Sequence, residues 1–260
     1  PLLDSVNEEE DGKEWRPGDL EVKDVSFAYP DGKRVLEHVS FSAKPGQIIG
    51  VTGPVACGKS TLGKLFLCEC PYEGTVRFAG KDLLQMEEAE RKGIVAYLGH
   101  DPELFHDSVR DNVLLGDEKD LKTYLKAVCI DREVSDMEEG EDTLIGNGGV
   151  RLSGGQAQRV ALARTLCHKK PLLVLDDPFS ALDKKTEAEI FSNIRQLAGD
   201  AIVLLISHRL YLFPQLDQIV WMEGGRAIAA PHETLIKEVP EYAALFEGRY
   251  TQEGGAEHEA

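Results

Sequence analysis

The chain has 260 residues, of which 42% are hydrophobic, and its formal net charge is −17 at pH 7. A chain of this length and composition can bury a substantial core, which excludes an intrinsically disordered protein. The acidic balance argues against non-specific binding of nucleic acid or anionic lipid, because proteins that do so use surplus Lys and Arg to displace counterions. We therefore expect no nucleic-acid partner. Because the longest apolar stretches, such as 201–206, are far shorter than the roughly 20 residues needed to cross a bilayer, we also expect the domain to be soluble.

Both ends of the chain are acidic. Residues 1–20 carry seven acids and two bases, and residues 247–260 carry four acids and one base. We predict that residues 1–17 form an acidic flexible linker and that residues 249–260 form a flexible tail. Because the chain opens at Pro1, we expect it to be one domain of a longer polypeptide. Its five cysteines lack the spacing of a zinc or disulfide framework, which favours a reducing cytosolic setting.

The first third of the chain predicts an antiparallel β layer followed by a buried strand, a glycine loop and a helix. Alternating apolar residues indicate strands, and the run that follows the loop has helical spacing. The predicted strands lie at 20–27, 35–41, 48–52, 75–78 and 94–98, and the predicted helix lies at 60–68.

Residues 53–60, here called the phosphate loop, read Gly-Pro-Val-Ala-Cys-Gly-Lys-Ser. This is the form G-x-x-x-x-G-K-[ST], whose glycines let backbone N–H groups face a phosphate. Lys59 would contact the β and γ phosphates of ATP, and the Ser60 hydroxyl would ligate Mg²⁺. The residues that we expect around the nucleotide are Gly53, Pro54, Val55, Ala56, Cys57, Gly58, Lys59, Ser60 and Thr61.

The remaining chain alternates strands and helices. Residues from about 105 to 155 are charged and interrupted by glycines, which we interpret as a small inserted helical subdomain. The apolar run 172–175 ends at Asp176, from where a carboxylate can order the shell of Mg²⁺. The remaining predicted strands lie at 201–206, 219–222 and 227–229, and the helices lie at 154–167, 184–197 and 233–246, the last interrupted at Pro240. We predict an α/β fold with a P-loop NTPase core, a mostly parallel sheet, an antiparallel β subdomain and a small helical subdomain.

Five motifs in this order resemble the nucleotide-binding domain of the ATP-binding cassette (ABC) family. They are the phosphate loop, Leu-Ser-Gly-Gly-Gln at 152–156 (here called the signature segment), Asp176, Ser-Ala-Leu-Asp at 180–183 and Ile-Ser-His at 206–208. The resemblance places the ATPase domain at 18–248. Segments 107–113, 142–146 and 239–242 resemble exporters within that family.

The resemblance implies a role for several further residues. Tyr29 would stack on adenine, His208 would contact the γ-phosphate, and Asp177 would be the general base for hydrolysis. A second nucleotide-binding domain would complete the site in trans, and a transmembrane domain of the same or a partner chain would be driven from the cytoplasmic face of a membrane. The residues expected to act in trans are Ser153, Gly154, Gly155, Gln156 and Asp183.

Two positions depart from the family pattern. Asp177 stands where most active members have glutamate. His100 stands where the family has a glutamine that senses the γ-phosphate and touches the transmembrane partner. Imidazole can donate or accept a hydrogen bond, but its reach differs from that of an amide. A positioned general base accelerates a reaction about 10²- to 10⁴-fold, so the shorter Asp177 predicts slow hydrolysis.

Several interpretations remain open at this point. In one interpretation, the chain is the weakly hydrolysing half of a heterodimer, and the intact signature segment beside a weakened base favours it. In the other, the chain is one half of a homodimer in which Asp177 suffices as the base. A regulatory module that binds ATP with little or no hydrolysis is the alternative function. The transported substrate is not encoded in these residues.

Overall fold

The computed structural model describes residues 17–180 and 182–254, so the predicted linker lies almost wholly outside the described residues. The strands are β1 (Leu20–Ala28), β2 (Arg34–Ala43), β3 (Ile48–Thr52), β4 (Glu73–Phe78), β5 (Lys81–Asp82), β6 (Val95–Leu98), β7 (Asp107–Ser108), β8 (Leu144–Ile145), β9 (Leu172–Asp176), β10 (Ile202–Ile206), β11 (Gln218–Glu223) and β12 (Arg226–Ala230). The α-helices are α1 (Lys59–Leu65), α2 (Glu88–Lys92), α3 (Val109–Leu114), α4 (Leu121–Ala127), α5 (Asp131–Ser135), α6 (Gly154–Cys167), α7 (Lys184–Ala198), α8 (His232–Glu238) and α9 (Pro240–Gly254).

A six-stranded sheet forms the centre of the molecule, with strand order β12-β11-β3-β10-β9-β6. Its neighbouring strands are parallel except for the antiparallel edge pair β11–β12. Every residue of β3, β9 and β10 is buried, which is typical of parallel strands that are covered on both faces. The predicted mostly parallel sheet is confirmed.

An antiparallel layer with strand order β2-β1-β4-β5 covers one face of this sheet. Its apolar side chains join a core cluster with helix α1 and with alternate residues of the central strands, among them Leu62, Val174 and Ile206. The predicted antiparallel β subdomain is therefore confirmed, and it brings the turn after β1 close to the start of α1.

Short helices lie between β6 and β9 in the chain. Apolar residues of α3 and α4 pack on α6 in a second core cluster, which also contains Leu173 and Leu205 of the central sheet. This packing attaches the helical part of the chain to the face of the sheet opposite the β layer. We retain 105–155 as the proposed boundaries of the subdomain.

Three details at helix ends differ from the sequence prediction or refine it. Helix α1 ends at Leu65 rather than near Cys68, where the backbone turns with φ 55°. The predicted interruption at Pro240 separates α8 from α9, and α9 continues to Gly254, past the proposed domain end at 248.

Each helix in the described part of the chain is too short or too polar to cross a membrane.

Candidate nucleotide-binding site

The phosphate loop joins the buried strand β3 to helix α1, and its two glycines are required by geometry. Gly53 has φ 155°, and a Cβ there would lie 2.0 Å from the carbonyl oxygen of Met222. Gly58 has φ 102°, and a Cβ there would lie 2.9 Å from Cγ1 of Val35. Only glycine adopts these backbone angles without a steric penalty in such confined space. The loop conformation is therefore fixed by its sequence.

Lys59 places a positive charge at the centre of the loop. Its side chain is buried, and Nζ donates hydrogen bonds to the carbonyl oxygens of Gly53 at 3.1 Å and Pro54 at 2.8 Å. These bonds hold the ammonium group against the backbone at the start of the loop. An acidic protein thereby presents a local cation that suits an anionic phosphate.

A cleft of about 820 Å³ opens over the phosphate loop. This volume falls in the range of sites that hold small molecules and cofactors. The cleft brings together residues that are distant in sequence, including Tyr29 and His208. Its lining residues are Tyr29, Lys33, Arg34, Val35, Pro54, Val55, Ala56, Cys57, Gly58, Lys59, Ser60, Thr61, His208, Glu223, Gly224 and Gly225.

Tyr29 lines this cleft and is held there by two contacts. The hydroxyls of Tyr29 and Thr61 are hydrogen-bonded at 3.1 Å, and the Phe27 ring meets the Tyr29 ring edge to face at 5.0 Å between centroids. The residue is nevertheless 43% exposed. An anchored aromatic ring with a free surface can stack on a planar ligand such as a nucleobase.

Asp176 ends strand β9 and is only 4% exposed. Tyr97 of the adjacent strand β6 donates a hydrogen bond from its hydroxyl to Oδ2 of Asp176 at 3.0 Å. Burial, and then the charge of Asp176, raise the pKa of Tyr97, so the phenol stays protonated and remains a donor. Tyr97 was not among the residues predicted from the sequence. Its signal is a tyrosine within an apolar strand that pairs with β9.

Ser60, which lines the cleft, and Asp176, which does not, carry oxygen donors of the kind that bind Mg²⁺ arriving with a nucleotide. The described residues contain no group of three or more His, Cys, Asp or Glu side chains that could hold a metal by themselves. Mg²⁺ usually takes only one or two protein carboxylates and completes its shell with phosphate oxygens and water. The exposed Ser60 hydroxyl and the Asp176 carboxylate match that pattern, and Tyr97 orients the carboxylate.

The two residues that depart from the family pattern lie face to face. Nδ1 of His100 is 3.6 Å from Oδ2 of Asp177, and the two side chains are 57% and 17% exposed. Asp177 has φ 51°, and its N–H donates to the carbonyl oxygen of Ile206 at 2.8 Å. Aspartate tolerates this left-handed conformation better than most residues do. Neither residue lines the main cleft.

The signature segment occupies a different part of the surface. Ser153 caps α6: its hydroxyl accepts from the Gln156 N–H at 3.2 Å, and the Gln156 side chain accepts from the Ser153 N–H at 2.9 Å. Gln156 Nε2 also donates to Glu133 at 2.8 Å. Residues 153–156 are absent from the lining of the cleft. The structure therefore does not bring these residues to the phosphate loop of the same chain.

Asp183 caps helix α7 and is also outside the cleft. Its carboxylate accepts from the Thr186 hydroxyl at 2.7 Å and from the N–H groups of Lys185 and Thr186 at 3.0 Å. The Thr186 hydroxyl, followed by these N–H groups, lowers the pKa of Asp183.

Arg209, which the sequence analysis also missed, joins this region to the strand end that carries His208. It donates to the carbonyl oxygen of Leu182 at 2.7 Å and to Glu187 at 2.9 Å.

A strand, a glycine-rich loop with a buried lysine, and a carboxylate at the end of a parallel strand of the same sheet, separated from the first by β10, define a P-loop nucleotide-binding domain. A family model described as "ABC transporter" matches residues 36–180. The chain belongs to the ABC transporter family.

Curated relatives and a solved structure agree with this assignment. The chain is 34% identical to an ATP-dependent lipid A-core flippase of Burkholderia thailandensis, over 98% of this chain and 44% of the relative. It is 33% identical to the multidrug resistance-like ATP-binding protein MdlA of Escherichia coli, over 93% of this chain and 42% of the relative. A bacterial Atm1-family ABC exporter with ATP bound superimposes with a TM-score of 0.84 at 28% identity, over 90% of this chain and 42% of that one. The chain thus spans less than half the length of these proteins.

Proposed function

We propose that this chain is the ATP-binding and ATP-hydrolysing domain that drives a membrane exporter. The observation that carries the proposal is the separation of two surfaces: the cleft gathers Tyr29, Lys59 and His208, whereas the signature segment lies outside it. Relatives named as flippases and multidrug resistance proteins support export as the process. The transmembrane domain then belongs to the rest of the polypeptide or to a partner chain, and this domain works at the cytoplasmic face of the membrane.

The residues that line the cleft support the proposal that it binds ATP. The adenine stacks on Tyr29, and the β and γ phosphates meet Lys59 and the backbone N–H groups of the phosphate loop. Ser60 and Asp176 hold Mg²⁺, which neutralises phosphate charge when it is bound. His208, at the end of β10, contacts the γ-phosphate. These groups bind and orient the triphosphate.

The second surface completes the site from another chain. The signature segment begins helix α6, where Ser153 and Gly154 are exposed, and the N-terminus of a helix favours an anion. The γ-phosphate held by one chain meets Ser153 and Gly155 of the second chain, with Asp183 at the junction. ATP therefore joins two domains, and hydrolysis separates them. This cycle of association and separation supplies the motion that drives the transmembrane domain.

The short side chain at Asp177 supports an asymmetric pairing. We propose that this chain's own cleft hydrolyses ATP slowly, while its signature segment serves a faster cleft in a different partner. A site that binds ATP with almost no turnover, acting as a regulatory module, is the second candidate, and the same residue favours it. Asp177→Glu separates the two, because a tenfold or larger gain in turnover identifies a working site with a weakened base. An unchanged rate would contradict the weakened-base proposal.

ATP-driven association tests the proposed function. Sedimentation of the purified chain should show dimers with Mg²⁺ and a slowly hydrolysed ATP analogue, and monomers without nucleotide. Ser153→Ala should stay monomeric at the same concentration, because the partner's γ-phosphate loses its hydroxyl contact. Ser108→Ala is the matched control, since Ser108 caps α3 in the same way but lies outside both surfaces. Equal dimerisation of Ser153→Ala and wild type would refute the two-surface arrangement.

A further inference from the structure

The contact between His100 and Asp177 joins the two positions at which this chain departs from its family. The residues follow strands β6 and β9, which are parallel neighbours in the central sheet. Because the carboxyl ends of parallel strands meet at one edge, both side chains emerge beside Asp176. Both residues lie outside the lining of the cleft, next to the strand end that carries Asp176, and two unusual residues that meet there are best explained together.

Asp177 has little freedom to reach further into the site. Its backbone is fixed in the left-handed region, its N–H is bonded to Ile206, and its side chain is mostly buried. A carboxylate that lacks one methylene falls short by about 1.5 Å, the length of one C–C bond. This shortfall cannot be corrected by a backbone shift without breaking the bond to Ile206.

His100 has the reach that Asp177 lacks. With Nδ1 directed at Asp177, its other ring nitrogen, Nε2, lies on the far edge of an imidazole that is 57% exposed. A neutral imidazole donates from one nitrogen and accepts at the other. The 3.6 Å separation is longer than a hydrogen bond, and catalytic hydrogen bonds often shorten only when substrate binds. The preceding residue, Gly99, is attached to α6 by a bond from Gln158 at 3.4 Å, which limits how far His100 can move away.

We propose that His100 and Asp177 act as one unit, in which Asp177 orients the imidazole and Nε2 of His100 accepts the proton of the attacking water. The water oxygen forms a bond to the γ-phosphorus while the bond from that phosphorus to the bridging oxygen of ADP breaks. The proton lost by the water passes to Nε2 and leaves later with phosphate or solvent. This inference rests on the proposed ATPase function and makes His100 a catalytic residue in the slow cleft.

A double-mutant cycle tests the pairing, with turnover and KM for ATP measured for each variant. His100→Ala should lower kcat at least about tenfold with KM unchanged, because proton acceptance contributes about 10²- to 10⁴-fold. In the Asp177→Glu background, the same change should cost less than about twofold, because glutamate reaches the water itself. His38→Ala is the matched control: His38 contacts Asp24 at 2.6 Å, and neither residue lines the cleft.

Two results for the His100→Ala variants of this cycle overturn the inference. If His100→Ala retains kcat within about twofold of wild type, or costs the same factor in both backgrounds, the residues act independently or not at all. Failure of the proposed function looks different: turnover would be absent in wild type or would be insensitive to Ser153→Ala. Absent turnover in wild type would overturn both proposals.

Nitrogen NMR of the imidazole gives a readout that does not depend on turnover. In the full chain saturated with the ATP analogue, His100 should carry its proton on Nδ1, facing Asp177. Asp177→Ala should shift the proton toward Nε2 in His100 and leave His38 unchanged. A His100 spectrum that ignores Asp177→Ala would refute the pairing.

Discussion

Replacement of Tyr97 by phenylalanine removes one oxygen atom from the support of Asp176. The Tyr97 ring packs against α1, where a Cβ on Gly63 would lie 3.3 Å from Cε2, so phenylalanine keeps the packing. What is lost is the 3.0 Å hydrogen bond to Oδ2 of Asp176. The carboxylate is then free to rotate away from the orientation that suits the shell of Mg²⁺.

The size of this effect follows from the type of bond. Hydrogen bonds to charged groups contribute about 1.5–3 kcal/mol, and this one is near-ideal in length and half-buried, so we take about 2 kcal/mol. That value corresponds to about a 30-fold change in an equilibrium constant, which lies within the 10- to 100-fold range found when a residue that supports a metal ligand is removed. We therefore expect the Mg²⁺ concentration for half-maximal ATP turnover to rise about 30-fold.

The assay is a titration of ATP turnover with Mg²⁺ at saturating ATP. Tyr72→Phe is the matched control, because Tyr72 is also partly buried, its hydroxyl contacts only the Cys68 sulfur at 4.0 Å among the described hydrogen bonds, and it lies outside the cleft. If Tyr97→Phe and Tyr72→Phe require the same Mg²⁺ concentration as wild type, Tyr97 does not position Asp176 and the assignment of the metal residues is wrong.

Three further predictions concern individual residues. Lys59→Ala should weaken ATP binding at least about 100-fold in a calorimetric titration, since two charge-assisted hydrogen bonds to phosphate are lost; unchanged affinity would show that the phosphate loop is misassigned. Gly58→Ala should lower the free energy of unfolding by about 1–3 kcal/mol in denaturant, because φ 102° is strained for alanine and Val35 is too close; an unchanged midpoint would contradict the required glycine. The pKa of Asp183 is lower in the folded than in the unfolded state, so its carboxylate stabilises the fold at pH values above the unfolded-state pKa. This contribution is lost as pH falls through the folded-state pKa. Asp183→Asn should therefore make the free energy of unfolding less dependent on pH in the acid range. A profile identical to wild type would show that the cap does not contribute.

The elements of the central sheet could be predicted because runs of consecutive apolar residues indicate strands that are buried on both faces. Strands β3, β9 and β10 were found from such runs, and the phosphate loop was found because its glycines and lysine occur at fixed spacing. The end of α1 was missed because apolar spacing continues to Cys68, although the backbone leaves the helix at Leu65.

Contacts between distant segments could not be derived from one sequence. The bond from Tyr97 to Asp176 depends on the pairing of β6 with β9, and the position of Arg209 depends on a turn that precedes α7. The sequence identified His100 and Asp177 separately as departures from the family. Only the fold shows that these two side chains meet.

The central claim is that each reaction centre is shared by two chains, and complementation between two inactive variants tests it most directly. Lys59→Ala lacks a working phosphate loop, and Ser153→Ala lacks a working signature segment, so each alone should have little ATP turnover. An equal mixture should recover about a quarter of wild-type turnover, because half of randomly formed dimers would contain one intact site of two. A mixture no more active than the two variants alone, with wild-type turnover per chain independent of protein concentration, would contradict the shared site.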